Sequence, residues 1–507
     1  MDSISRRAAL RAFAGVPAVL TAPKAAAQDL PAIAKGPFRG TAESLQQYRI
    51  PDWFRDAKFG MWAHWGPQSG VEDGDWYARN MYIQGQPQYQ YHVEHYGHPS
   101  KVGYKDLCPL WKGDRFDPVH LISLYKKAGA KYFMSMGVHH DNFDLWNSKH
   151  QPRWNAVATG PHKDVVGMWA RAARDAGLKF AVSEHLSNSW NWLAVSHGAD
   201  KSGPMAGVPY DGNDPAFADL YHPFPKDQPI PTQPMSRVAP DSWKREWFLR
   251  IQDLIDQHKP DLLYTDGGIP FEEYGYRLVS HYYNTVPHGV FTSKDRKDCV
   301  TGTCALDIER GIADDILPEP WQTDTCIGQW HYKRGIRYKS TKTVIDMLCD
   351  IVSRNGNLML NVPLPNSGEP DAEELKVVEG ITAWMAVNSP AIYGTRPWKV
   401  SGNAAAPAAG RSAGFNENRR RELTANDVRF TTKGGTLYAF VMGWPEREAS
   451  IPLLARGGKL GVGKIRSVEL LGHRGRLQFT QDEASLRITL PPEKPCEHAV
   501  AFQVVGA

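Results

Sequence analysis

Cysteine is scarce in this sequence: six in 507 residues, at positions 108, 299, 304, 326, 349 and 496, none of them in a Cys-x-x-Cys pair. So few thiols exclude a disulfide-stapled scaffold and leave room for a single bridge, with Cys299 and Cys304 as the candidate pair. Charge of one sign is also missing. The formal net charge is only +4 and no long run of like charge occurs, which argues against nucleic acid or an anionic membrane as the main partner. No apolar run is long enough for a membrane span. No glycine-rich phosphate loop follows the first strand pattern, and no internal repeat is visible.

What is present suits a soluble globular protein of two domains with a large core: 42% hydrophobic, 22% charged and 11% aromatic residues. Seventeen Trp and twenty Tyr supply many flat faces, which either fill that core or stack against sugar rings. At the N-terminus, Ser5-Arg6-Arg7 precedes a mildly apolar stretch from Ala8 to Ala22, and Ala25-Ala26-Ala27 offers a small-residue cleavage site. Residues 1–27 therefore read as a twin-arginine-like export signal, which implies a periplasmic or secreted mature protein.

Apolar strand patterns alternate with amphipathic helical ones over the next 350 residues or so. Strands are expected at Lys58–Trp65, Lys131–His140, Leu178–His185, Leu262–Gly267, Gly289–Lys294 and Leu358–Val362, with weaker ones at Cys304–Ile308 and Trp321–Thr325. Helices are expected at Val119–Ala128, Val165–Ala176, Trp243–His258 and Thr341–Ser353. Eight strands in such alternation imply an α/β fold, a (β/α)8-type barrel over 28–398; a doubly wound open sheet is the alternative. From 399 to 507 a linker-like stretch gives way to short strand patterns, the signature of a small antiparallel β-sandwich.

Ionisable residues gather where the barrel strands end, the face on which such barrels place their chemistry. His64 ends "KFGMWAHWG", His139 and His140 end "YFMSMGVHH", Glu184 and His185 end "FAVSEH", and Asp266 ends "LLYTDGG". A metal site built from His64, His139, His185 and Asp266 is one reading. Against it, the first strand lacks a His-x-His pair, and neighbouring residues on a regular strand face opposite ways, so His139 and His140 are not expected to share an ion. Donors and acceptors for a polyhydroxylated ligand account for the same residues without a metal.

Six segments then appear in order: "WFRDAKFGMWAHWG", "DWY", "GVHHDNFDLWNS", "YTDGG", "GNLMLNVPLPNSGEP" and "AWMAVNSPAIYGTRPW". Together they resemble the signature segments of the α-L-fucosidases of glycoside hydrolase family 29. The resemblance implies a retaining exo-glycosidase that releases terminal α-L-fucosyl residues from oligosaccharides or glycoconjugates, without a cofactor or metal. By the same resemblance Asp266 is the nucleophile, His139 and His140 hydrogen-bond the sugar hydroxyls, and His64, Asp75 and Trp76 lie beside them. Arg296 falls where the family often has a substrate-contacting arginine. Glu309 in "CALDIERG" is the first choice for the acid/base, with Glu72 and Asp75 in "VEDGDWY" as fallbacks.

Two departures stand out. Gln322 in "PWQTDT" replaces a glutamate that many members carry, and Glu184-His185 replace a tyrosine-rich strand end. Glu184 and His185 are therefore expected to give the substrate site its own chemistry. The alternatives are an exo-glycosidase for a similar sugar such as an α-L-galactoside, and a carbohydrate-binding relative that has lost catalysis.

Overall fold

The computed structural model describes residues 30–225, 228–231, 239–403, 415–417 and 421–507. The expected export signal lies outside the described residues. Eight strands form one all-parallel sheet: β1 (Phe59–Ala63), β2 (Tyr132–Val138), β3 (Lys179–Glu184), β4 (Leu262–Thr265), β5 (Val290–Ser293), β6 (Ala305–Leu306), β7 (Trp321–Cys326) and β8 (Gly356–Asn361). Their spatial order is β6-β5-β4-β3-β2-β1-β8-β7. The two ends of this order meet through one backbone bridge, Asp307 to Gln322, so the barrel closes at its thinnest point. All eight strands read from the sequence are present, including the two weak ones. The open doubly wound sheet is excluded.

Alternation of side chains makes each strand serve two cores. Trp62, Tyr132, Met134, Ala181, Leu262, Tyr264, Val290 and Met359 fill the barrel interior. Their neighbours Met61, Phe133, Phe180, Leu263, Phe291 and Leu358 face the helical layer. Gly60 is required where it stands, because a Cβ there would lie 2.5 Å from the Tyr132 ring. Helices Pro118–Lys127, Val165–Asp175, Asp241–His258 and Thr341–Ser353 occupy the expected places. Two further long ones, Glu273–Thr285 and Ala372–Asn388, were not expected from the sequence, nor were several shorter helices.

The C-terminal part contains β9 (Arg396–Gly402), β10 (Val428–Lys433), β11 (Thr436–Val441), β12 (Glu448–Ile451), β13 (Ser467–Leu470), β14 (Phe479–Gln481), β15 (Leu486–Thr489) and β16 (Val500–Val505). They make a five-stranded sheet, β13-β16-β11-β10-β9, and a three-stranded sheet, β12-β15-β14, both antiparallel around their own core. Because β9 pairs with β10, this sheet begins at Arg396, ahead of the boundary placed after Trp398. Trp384 Nε1 donates to Ala499 O at 2.7 Å and Arg429 pairs with the buried Asp350, which joins the sheet to the barrel helices.

One buried ion pair positions the loop that leaves β2. Arg250, on helix Asp241–His258 and fully buried, grips both oxygens of Asp144 (2.5 and 3.1 Å) and donates to the side chain and carbonyl of Asn142. Burial pushes the Asp144 carboxyl up to about 6 against the opposing pull of Arg250. Arg250→Met strands that carboxylate among apolar neighbours, so a loss of about 3–5 kcal/mol is expected. Urea unfolding monitored by tryptophan fluorescence measures it, and a loss below about 1 kcal/mol would show that the pair does not hold the loop.

Candidate active site

The barrel strands deliver their polar termini to one mouth. His64 follows β1, His139 and His140 follow β2, His185 follows β3, Asp266 follows β4 and Lys294 follows β5; Glu309 stands a few residues beyond β6. Asn361, which ends β8, accepts a hydrogen bond from His64 N at 2.8 Å and donates to Trp330 O at 2.9 Å. Strand alternation explains which side chains arrive: Tyr264 and Asp266 face the barrel axis, while Thr265 faces the helices.

Asp266 is the most heavily partnered group. His140 Nε2 lies 3.1 Å from Oδ2, His185 Nδ1 lies 3.4 Å from the same oxygen, and Lys294 Nζ donates to Oδ1 at 2.5 Å. Burial works against its charge, yet Lys294 and the two histidines hold its carboxyl well below the ordinary range. The His140 Nδ1–H donates to His185 O at 2.9 Å, so a proton on Nε2 toward Asp266 makes the ring an imidazolium. Burial opposes that charge, and Asp266 overcomes it, raising His140 above its usual value.

Lys294 also donates to Glu309 Oε2, so one ammonium bridges two carboxyl groups. The bridged oxygens therefore lie no more than about 5 Å apart. Their proton affinities diverge. Burial, aided by Asp324 and Asp266 and opposed by Lys294, pushes Glu309 up to about 7. Beneath them, inside the barrel, Asp307 is pushed well up, chiefly by burial and then by Asp324, which in turn accepts from Tyr264 Oη at 2.9 Å.

The other wall is a cluster of imidazoles. His64 lies with its ring centroid 5.0 Å from that of His139, 5.2 Å from His185 and 4.6 Å from His331. Both of its ring nitrogens are buried without a partner among the described residues, and burial holds it, like His139, well below its usual value. Gln68 Nε2 donates to His139 Nδ1 at 3.0 Å, which places the ring proton on Nε2. His331 Nδ1 pairs with Asp75 Oδ1 at 2.6 Å, and its Nε2 has no partner among the described residues. Trp76, Trp192 and Trp330 frame these rings, the first two against His140 at 6.2 and 5.6 Å and the third against His64 at 5.6 Å.

His139 and His140 do not face opposite ways, contrary to the strand argument. The register slips between Met136 and Val138 and β2 ends at Val138, so both rings follow a bulge and reach the same pocket. Two groups consequently bring possible ligand atoms within 4.8 Å of one another: His64, Asp75, His139 and His331, and His139, His140 and His185.

Three expected residues go elsewhere, and the departure Gln322 lies outside the pocket as well. Glu184 is turned outward by alternation and spent on structure: it accepts from Thr265 Oγ1, Leu186 N, Ser187 N and Trp247 Nε1. Glu72 pairs with Arg334 at 2.5 Å and accepts from Asn366 N. Arg296 is exposed and lines a separate cavity of about 440 Å³, while Lys294, two positions earlier, enters the mouth. Gln322 lies a layer deeper, donating to Asp307 Oδ1 at 2.9 Å and accepting from Tyr132 Oη at 3.0 Å, where it helps to close the barrel. Lys294 and His331 were missed; Lys294 follows the same strand-end rule as the rest, whereas His331 sits in a loop without such a signal.

Two carboxyl groups of unlike proton affinity, bridged by one ammonium beside a wall of hydrogen-bonding imidazoles, are the equipment of a glycoside hydrolase. The sequence profile of the family described as Alpha-L-fucosidase matches residues 25–390, and that of the Alpha-L-fucosidase C-terminal domain matches 420–505. The chain therefore belongs to the α-L-fucosidase family, glycoside hydrolase family 29. It is similar to the tissue α-L-fucosidase of Macaca fascicularis, 26% identical over 490 residues that cover 91% of this chain and 90% of that one. The plasma α-L-fucosidase of Homo sapiens is 26% identical over 495 residues, 92% of each chain. Among solved structures, the Thermotoga maritima α-fucosidase in complex with fucose is 25% identical with a TM-score of 0.71, covering 92% of this chain and 100% of that one.

The divergent proton affinities predict a pH profile. Glu309, with its value pushed to about 7, loses its proton as pH rises through neutrality, so kcat/KM on a poor leaving group should fall there. Asp266, held low, should not set an acid limb until well below about pH 4. Glu309→Gln should abolish the alkaline limb in the residual activity. A wild-type profile flat from pH 6 to 9 would detach Glu309 from the reaction.

Proposed function

We propose that the protein is a retaining α-L-fucosidase in which Asp266 is the nucleophile and Glu309 the general acid/base. The observation that carries this reading is the Lys294 bridge, which brings one oxygen of each carboxyl group within about 5 Å of the other, as the close carboxyl pair of a retaining enzyme requires. In the first step Asp266 attacks the anomeric carbon, the glycosidic bond breaks and Glu309 passes its proton to the leaving oxygen. In the second step Glu309 takes a proton from water, the water oxygen attacks the anomeric carbon and the bond to Asp266 breaks. Oδ2 of Asp266 is held by histidines, so Oδ1, held by Lys294 alone, is the oxygen released for attack when a sugar enters beside the ammonium.

Recognition follows from the unpartnered ring nitrogens. His64 and His331 present buried ring nitrogens without a partner among the described residues, and a ligand rich in hydroxyls would satisfy them. Their partners would tighten as the ring flattens toward an oxocarbenium ion. Trp76 and Trp330 supply an apolar wall for the methyl group at C5 of fucose; one methyl contact gives about 1–3 kcal/mol of selectivity against an L-galactoside. The substrate is a terminally fucosylated oligosaccharide or glycoconjugate. Export to the periplasm or beyond is supported by the twin-arginine-like residues 1–27 and by the Cys299–Cys304 disulfide, which suits an oxidising compartment. Among the described residues no helix is long and apolar enough to cross a membrane.

Asp266→Asn should lower turnover of an aryl α-L-fucoside by several orders of magnitude with the melting temperature preserved. The wild type should release the α anomer first in a proton NMR time course; β-fucose first would mean inversion and remove the mechanism. For the histidines, a chelator should leave activity unchanged. His139→Ala and His140→Ala should each lose on the order of 1–3 kcal/mol in kcat/KM. Stoichiometric metal in the active protein, lost together with activity on chelation, would assign the imidazole cluster to an ion instead.

A further inference from the structure

The segment Phe415-Asn416-Glu417 belongs to the stretch that the sequence presents as a linker, and neither matched family region includes it. It nevertheless crosses to the barrel and lies along the chain that carries Glu309. Phe415 N donates to Glu309 O at 2.8 Å and Glu417 N donates to Arg310 O at 2.9 Å. The Glu417 side chain, 8% exposed, accepts from Arg310 Nε at 2.6 Å and from Thr325 Oγ1 at 2.6 Å, and Lys339 Nζ lies 3.3 Å away. Burial opposes its charge, yet these partners keep its carboxyl below the usual value.

Two residues of this contact adopt left-handed backbone without being glycine: Arg310 at φ 45° and Phe415 at φ 53°. Side chains disfavour that region, so such conformations persist only where surrounding bonds over-determine them. The outcome is a large aromatic side chain held 66% exposed next to the main chain of Glu309. A general acid protonates the oxygen of the departing group, so the leaving sugar must sit on the Glu309 side of the pocket. An aromatic face fixed there matches the apolar face of a pyranose ring.

We propose that Phe415 is the stacking platform for the leaving-group sugar, held beside the general acid by the Glu417–Arg310 lock, so that the interdomain segment confers selectivity for the acceptor side of the substrate. The assignment rests on Glu309 as the acid, because it is Glu309 that places the leaving group near Phe415.

The test compares kcat/KM on a fucosyl disaccharide and on α-L-fucosyl fluoride, whose leaving group has no ring. Phe415→Ala and Phe415→Leu should each lose about tenfold more on the disaccharide than on the fluoride, mostly in KM, and Phe415→Tyr should restore the disaccharide value. Equal losses on both substrates would mean that the ring only supports the Glu309 loop, and no loss on either would mean a bystander; both results overturn the proposal. Glu309 is judged separately. Glu309→Ala should lose far more on the disaccharide than on an activated aryl fucoside and regain aryl turnover with azide. If it does not, Glu309 is not the acid, and the disaccharide-to-fluoride ratio of the Phe415 variants still decides whether the ring contacts the leaving group.

Discussion

A single ammonium between two half-buried carboxyl groups is the constraint around which the mouth of this barrel is organised. Asp266 and Glu309 are too close to stay charged together in a low-dielectric pocket without a cation, and Lys294 donates to both. The sharing is unequal in effect. Asp266 has His140 and His185 in addition and stays low, whereas Glu309 faces Asp324 and Asp266 and is pushed to about 7. The same cation thus serves a group suited to attack and a group suited to carry a proton at neutral pH, the division of labour that double displacement requires.

Lys294 is itself held by the barrel's acidic interior. Burial alone would strip its proton, but Asp266, Glu309, Asp324 and Asp307 raise it well above the ordinary lysine value. Asp307 and Gln322 belong to the one place where the sheet closes by a lone bridge, so the residues that complete the barrel also set the field under the site. Gln322, an apparent defect by comparison with family patterns, fits this role: an amide there donates to Asp307 and accepts from Tyr132, which a carboxylate could not do.

Glu309, the proposed acid/base, stands just beyond the shortest strand of the barrel. Strand β6 is two residues long, and the chain beyond it gains its definition from backbone bonds to Phe415 and Glu417 and from the Arg310–Glu417 pair. The segment 415–417, which precedes the β-sandwich, thus helps to hold the chain that carries Glu309.

The sequence by itself determined the eight strands, their parallel order and the strand-end positions of His64, His139, His140, His185 and Asp266, because period-two burial and apolar runs are local properties that survive without tertiary information. It also carried the family, through ordered segments. Only the folded chain decided which strand-end residue points inward: Glu184 and His185 are neighbours in sequence, yet one braces a helix and the other meets Asp266, and a bulge before Val138 brought His139 and His140 to one pocket against the simple alternation rule. Lys294 prevailed over Arg296 for the same reason, since two positions separate the strand end from an exposed helical turn. The partnership of Glu309 with Phe415, and of Arg310 with Glu417, spans more than 100 residues and reaches from the barrel to the interdomain segment. No local pattern encodes it, because it arises from backbone groups that every sequence carries and that only packing can bring together.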